Sequence, residues 1–181
     1  MLRVFPVDLA ARPTFTDTFG APRAGNRLHE GCDIFAPEGS EVYAVDVGRI
    51  EFHADEGIGG NVAYLHADDR TRYVYSHLSA FEGPKKRRVG PGELIGRVGH
   101  TGNAATTAPH LHFEIHPLEG APINPFDALT YARWGELGPP ATPAPATPAT
   151  SSSAFAGIDD GALLILFLLW AFRSPSRRVL N

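Results

Sequence analysis

Short apolar runs broken by Gly, Pro, Asn and Asp recur along the first 137 residues of the chain. Their spacing predicts strands at 41–45 (EVYAV), 48–53 (GRIEFH), 61–66 (NVAYLH), 72–77 (RYVYSH), 93–98 (ELIGRV) and 111–115 (LHFEI). The first two flank a two-residue connection, Asp46-Val47. The third and fourth flank a polar ADDRT turn and read as a hairpin. No segment carries an apolar stripe of helical period over three turns. The pattern predicts a mainly β, largely antiparallel domain over 1–137.

Beyond residue 137 the pattern changes. Residues 138–153 are rich in Pro, Ala, Thr and Ser, cannot build a core, and are expected to form an extended, semi-rigid linker. Residues 154–181 form a hydrophobic tail containing GALLILFLLWAF at 161–172. A helix over that run is about 18 Å long against a hydrocarbon core of about 30 Å. Extension back to Ala154 gives the length but brings in Asp159 and Asp160, which are unfavourable in lipid. The tail is a candidate membrane anchor with Arg173, Arg177 and Arg178 on the cytoplasmic side. The alternative is a segment packed on the domain or on a partner.

Composition narrows the function. The chain has 181 residues, 43% of them hydrophobic, which suffices for one domain and a tail. Its 19 Gly and 16 Pro favour a turn-rich fold. A net charge of −4 gives no electrostatic case for nucleic acid. The basic run KKRR at 85–88 lies between Gly-Pro pairs and is expected at a solvated loop tip. Cys32 is the single cysteine, so no intrachain disulfide forms. Residues 1–11 lack the apolar stretch and cleavage site of a signal peptide, so either the start is not the natural one or export uses another route.

The 8 histidines carry the chemistry. His29 and Asp33 can meet one ion from a helix, or from an extended strand on which positions 29, 31 and 33 share a face. Gly31 between them favours the extended form and leaves room for an ion. Cys32 then points to the opposite side and is not expected to be a ligand. Alone, the pair is more at home in a surface turn. In HLHFEI at 110–115, alternation puts His110, His112 and Glu114 on one face and Leu111, Phe113 and Ile115 on the other. The apolar face is core; two imidazoles and a carboxylate in a row are costly unless something uses them. His77 closes the strand at 72–77. Together these residues supply a three-ligand metal site with histidines to spare. Catalytic zinc takes three protein ligands and keeps a position for water, and a His/Asp set suits it better than Mg²⁺ or Ca²⁺. His53, His66, His100 and His116 are expected to be structural.

These motifs resemble the lysostaphin-like, LytM-type endopeptidases of peptidase family M23. The family's H-x-G-x-D motif is matched by His29 to Asp33, its Y-x-H-L by Tyr75 to Leu78, and its H-x-H by His110 to His112. Flanking stretches APEG at 36–39, GGN at 59–61 and TGN at 101–103 match as well. The resemblance spans roughly residues 15–125 and implies an antiparallel β-sheet groove domain of the duplicated hybrid motif type. It implies one Zn²⁺ per chain on His29, Asp33 and His112, with His77 and His110 as catalytic imidazoles. It further implies hydrolysis of peptide bonds in peptidoglycan stems or cross-bridges, in the cell envelope. Glu114 is expected beside a ligating imidazole. Asn61, residues 106–108 and the loops at 56–60 and 99–108 are expected along the groove. Some family members have lost ligands and act as non-catalytic peptidoglycan-binding or amidase-activating modules; here the set is complete.

Overall fold

The computed structural model describes residues 2–137. The expected linker (138–153) and hydrophobic tail (154–181) lie outside the described residues. Among the described residues no helix is long and apolar enough to cross a membrane.

In chain order the strands are β1 (Pro22–Arg23), β2 (Arg27–Leu28), β3 (Cys32–Phe35), β4 (Glu41–Tyr43), β5 (Gly48–His53), β6 (Val62–Ala67), β7 (Arg72–Ser76), β8 (Ala80–Phe81), β9 (Lys86–Val89), β10 (Leu94–Arg97) and β11 (His110–His116), followed by α1 (Phe126–Leu137). A six-stranded antiparallel sheet has the order β3-β11-β7-β6-β5-β9. A three-stranded sheet, β4-β10-β8, and the hairpin β1-β2 complete it. The predicted β6-β7 hairpin forms, closed by Asp69, whose carboxylate accepts from Thr71 N at 2.8 Å, and by Arg70 at φ 67°.

The core lies between one face of the large sheet and the small sheet. Ile50, Leu65, Tyr73, Tyr75, Leu111 and Phe113 come from the first, and Val42 and Ile95 from the second; all are buried. Tyr73 and Tyr75 pack on Phe113 with ring centroids 6.0 and 5.3 Å apart. The Tyr75 hydroxyl is not left unpartnered in this core, because it accepts from Val45 N at 3.0 Å.

Two expectations are corrected, and one connection left open by the sequence is settled first. The two strands flanking Asp46-Val47 do not pair: β4 joins the small sheet and β5 the large one, and the connection carries the chain between them. Residues 85–88 are not a loop tip, because Lys86–Val89 is edge strand β9 on β5. Its charges are matched one by one, Lys86 by Glu51 at 2.9 Å and Arg88 by both oxygens of Asp68 at 2.7 and 2.9 Å. Such a charged edge also discourages pairing with another chain. Third, a helix exists. Asn124 Oδ1 accepts from Phe126 N at 2.9 Å and starts α1, which buries only Leu129 and Ala132 among its described side chains and sets Phe126 edge-on against Phe15. So narrow an apolar face leaves no three-turn stripe to read.

Candidate metal centre and groove

Strand register builds the site. In the β3-β11 pair Asp33 stands opposite His112, and Cys32 opposite Phe113. Directly opposed residues point to one face, so Asp33 and His112 share the open face while Cys32 enters the core, fully buried. His29 lies just before β3 and is drawn down by Gly31, where a Cβ would stand 2.3 Å from Phe113 O and 2.9 Å from His112 Cε1. Only glycine lets this segment cross β11 so closely. His29 therefore enters from the segment preceding the strand and not from the strand itself.

His29 Nε2, Asp33 Oδ1 and His112 Nδ1 form a nearly equilateral triangle with sides of 3.0, 2.9 and 3.0 Å. Donor atoms on a tetrahedral zinc with bonds of about 2.0–2.1 Å stand about 3.3 Å apart. Two imidazole nitrogens and one carboxylate oxygen in this arrangement fit such an ion after an expansion of a few tenths of an ångström. Among the described residues these three form the group able to hold a metal ion.

The outer atoms of the site fix the inner ones. His29 Nδ1–H donates to Thr18 O at 2.9 Å, leaving Nε2 toward the triangle. His112 Nε2–H donates to Glu114 Oε1 at 2.8 Å, leaving Nδ1 inward. His110 Nδ1–H donates to Ala108 O at 2.8 Å and His77 Nδ1–H to Thr101 O at 2.9 Å, so the neutral form of each ring carries its lone pair at Nε2. Carbonyl oxygens only accept, which settles those three tautomers. His110 Nε2 lies 4.0 Å from Asp33 Oδ1, and the His77 and His110 rings are 4.9 Å apart. His77 sits at φ 66°, a left-handed conformation that turns the chain at the end of β7. All five expected site residues thus converge.

Electrostatics agree with a centre that wants positive charge. Burial works to raise the Asp33 carboxyl, but its contacts with the His112 and His29 rings outweigh it and hold it far below the usual carboxylate range. Burial works to lower His112, yet the hydrogen bonds to Asp33 and Glu114 bring it up to about 9. Burial, reinforced by the charges of His110 and His112, lowers His77 to about 4. Glu114, opposed by burial, is brought down to about 2 by hydrogen bonds from His112 and His116.

Two participants escaped sequence reasoning. His116, expected to be merely structural, is buried with Nε2 2.6 Å from Glu114 Oε2, extending the line His112–Glu114–His116 along β11. Its position two residues beyond Glu114 on the same face is the signal that points to it. Arg23 reaches Asp33 Oδ2 at 2.6 Å from the β1-β2 hairpin, a contact no spacing announces. The groove around the triangle holds about 700 Å³. Its walls include Glu56, Ile58 and Gly59 on one segment and Asn103, Ala104 and Thr107 on another, as the two expected loops require. Asn61 instead braces the groove from behind, donating to Leu78 O at 3.0 Å.

An antiparallel sheet with this His–Asp–His face and loop-walled groove defines a LytM/lysostaphin-type peptidase domain. The model described as Peptidase family M23 matches residues 27–125, more than half of the chain, and the chain belongs to that family. It is 41% identical over 99 residues to the DD-carboxypeptidase/endopeptidase Mpg of Neisseria meningitidis, covering 55% of this chain and 22% of that protein. It is 32% identical over 100 residues to the peptidoglycan DD-endopeptidase ShyA of Vibrio cholerae, covering 55% and 23%. The chain therefore aligns with less than a quarter of either relative. The catalytic domain of the antimicrobial peptidase lysostaphin from Staphylococcus simulans superposes with a TM-score of 0.57 at 30% identity, covering 65% of this chain and 92% of that one.

Proposed function

We propose that the chain is a zinc-dependent endopeptidase that cleaves peptide bonds in peptidoglycan stems or cross-bridges, at the cell envelope. The observation that carries this reading is the ordering of the imidazoles. Four rings each have one nitrogen held from outside the triangle, by a backbone carbonyl or by Glu114, and the opposite nitrogen of three of them lies within or beside the donor triangle. Such pre-orientation is what catalysis requires and a closed structural site does not.

His29, Asp33 and His112 would hold the ion. Bound there, zinc supplies Lewis acidity toward a carbonyl and toward water. His77 and His110 then handle protons at Nε2. His77, held neutral by burial, accepts a hydrogen bond or a proton at neutral pH. His110 beside it, whose neutral ring carries its lone pair at Nε2, would take a proton from the attacking water and return it to the departing amine as the C–N bond breaks. The relatives named for DD-carboxypeptidase, endopeptidase and peptidoglycan DD-endopeptidase activities support the substrate class.

The test combines metal content with turnover on purified peptidoglycan. The protein is expected to bind one zinc and to release new amino groups in a chelator-sensitive way. His110→Ala should keep its zinc and lose about 10²–10⁴-fold in turnover, whereas Asp33→Ala and His112→Ala should lose the zinc. A His110→Ala protein without metal, or ligand variants that retain it, would refute these roles.

A further inference from the structure

We propose that the β1-β2 hairpin is an anion-recognising arm of the groove, and that Arg27 binds a carboxylate on the residue beside the scissile bond. This inference rests on the peptidase reading and adds the chemistry of the substrate. Arg23 and Arg27 are direct cross-strand partners. Directly opposed side chains project from the same face of a two-stranded ribbon. The Arg23 guanidinium is fixed by its 2.6 Å contact with Asp33 Oδ2, so that face looks onto the metal triangle. Arg27 shares it. The hairpin base is tied to the first ligand by Gly20 N donating to His29 O at 2.8 Å and His29 N to Ala21 O at 2.9 Å. The arm therefore cannot be displaced without moving His29.

Three arginines line the groove: Arg23, Arg27 and Arg72. Arg23 is engaged by Asp33, and Arg72 lies 3.1 Å from His116 Nδ1. Of the three, Arg27 alone has a side chain with no ion pair or hydrogen bond among the described residues. Two guanidinium groups placed opposite each other repel, and the arrangement costs stability unless an anion sits between them. Arg23 uses one of its five N–H donors on Asp33, so the pair retains a fork for a second carboxylate. This is not the general tenor of the surface, since the chain carries a net charge of −4. Glu30 in the same lining works against an incoming anion.

Soluble cross-linked muropeptides, native and with their carboxylates converted to amides, provide the probe. Turnover is measured with the full-length zinc-loaded protein, and affinity by calorimetry in the non-cleaving His110→Ala background. The native form is expected to be preferred about tenfold or more, with the difference in KM and affinity and not in kcat. Arg27→Ala should bring the two forms level, Arg27→Lys should keep part of the preference, and Glu30→Gln should tighten binding of the native form. Release of a single terminal residue assigns the recognised group to the chain terminus; cleavage only within the peptide assigns it to a branch carboxylate. Equal handling of both forms by the unmutated protein, or a preference that survives Arg27→Ala, overturns the inference. Absence of turnover on either form counts against the peptidase reading instead. In that event the affinity comparison alone decides, and equal affinities sink the role of Arg27.

Discussion

At the scale of single residues the centre is governed by one proton. His112 makes hydrogen bonds to carboxylates on both of its nitrogens, Asp33 at 3.0 Å and Glu114 at 2.8 Å, and is thereby brought up to about 9. At neutral pH the metal-free ring is an imidazolium bridging two carboxylates. An ion entering the triangle takes the place of the inward proton, since a ligand must be deprotonated to bind. Below a pKa of about 9 the ring is mostly protonated, so each unit of acidification should weaken apparent zinc affinity about tenfold. Above it the affinity should level off. Competition titrations with a chelator of known pH dependence, from about pH 6 to about pH 10, measure this slope. A pH-independent affinity would show that His112 is not a ligand through Nδ1. Cys32, adjacent to Asp33 in sequence yet fully buried on the other face of β3, takes no part: burial first, then Asp33 and Asp17, push its thiol up to about 12.

At the scale of elements, two strands and one glycine determine where the ligands stand. The β11 alternation is plain in the sequence because its apolar face is core and its polar face is the site, and the structure keeps both assignments. Asp33 is legible for the same reason, with Cys32 marking the opposite face. Register is not. Nothing local says that Asp33 pairs with His112, that β4 leaves for the second sheet, or that a hairpin arginine reaches Asp33. Nor does the basic run at 86–89 declare itself a strand, because its stabilising carboxylates lie on β5 and in the β6-β7 turn.

Two substitutions test this layer. In Gly31→Ala the new methyl would meet a backbone oxygen at 2.3 Å, which flexible side chains cannot relieve. The β3-β11 contact must open, at a cost of about 1–3 kcal/mol; thermal unfolding should begin several degrees lower and zinc affinity should fall with it. A variant as stable and as tight as the parent would mean that His29 does not depend on this crossing. In His116→Ala no ligand is touched, but Glu114 loses its 2.6 Å partner and its hold on His112. Outer partners of this kind are worth about 10–100-fold in metal affinity, so chelator competition should show zinc bound at least several-fold more weakly, with the fold retained by circular dichroism. Unchanged affinity would reduce His116 to a packing residue.

At the scale of the whole molecule, the groove lining falls within the stretch of chain that builds the described core. Among the described residues the core runs from Leu2 to Ala132, and the groove lining from Arg23 to His116. The N-terminal segment belongs to that core, since Leu2, Phe5 and Val7 are buried and Arg3 N donates to Val45 O at 3.0 Å. A chain ending at Leu137 retains every one of these positions. It should accordingly fold, bind one zinc and cleave soluble muropeptides with the kcat/KM of the full chain. The tail is expected to act on location alone. Its GALLILFLLWAF run should carry the longer protein into the membrane fraction, while the shorter one stays in the supernatant without detergent. Equal partitioning would remove the anchor reading and leave the peptidase reading intact. A shortened protein that folds but cleaves poorly even in solution would instead make residues 138–181 part of the groove's function.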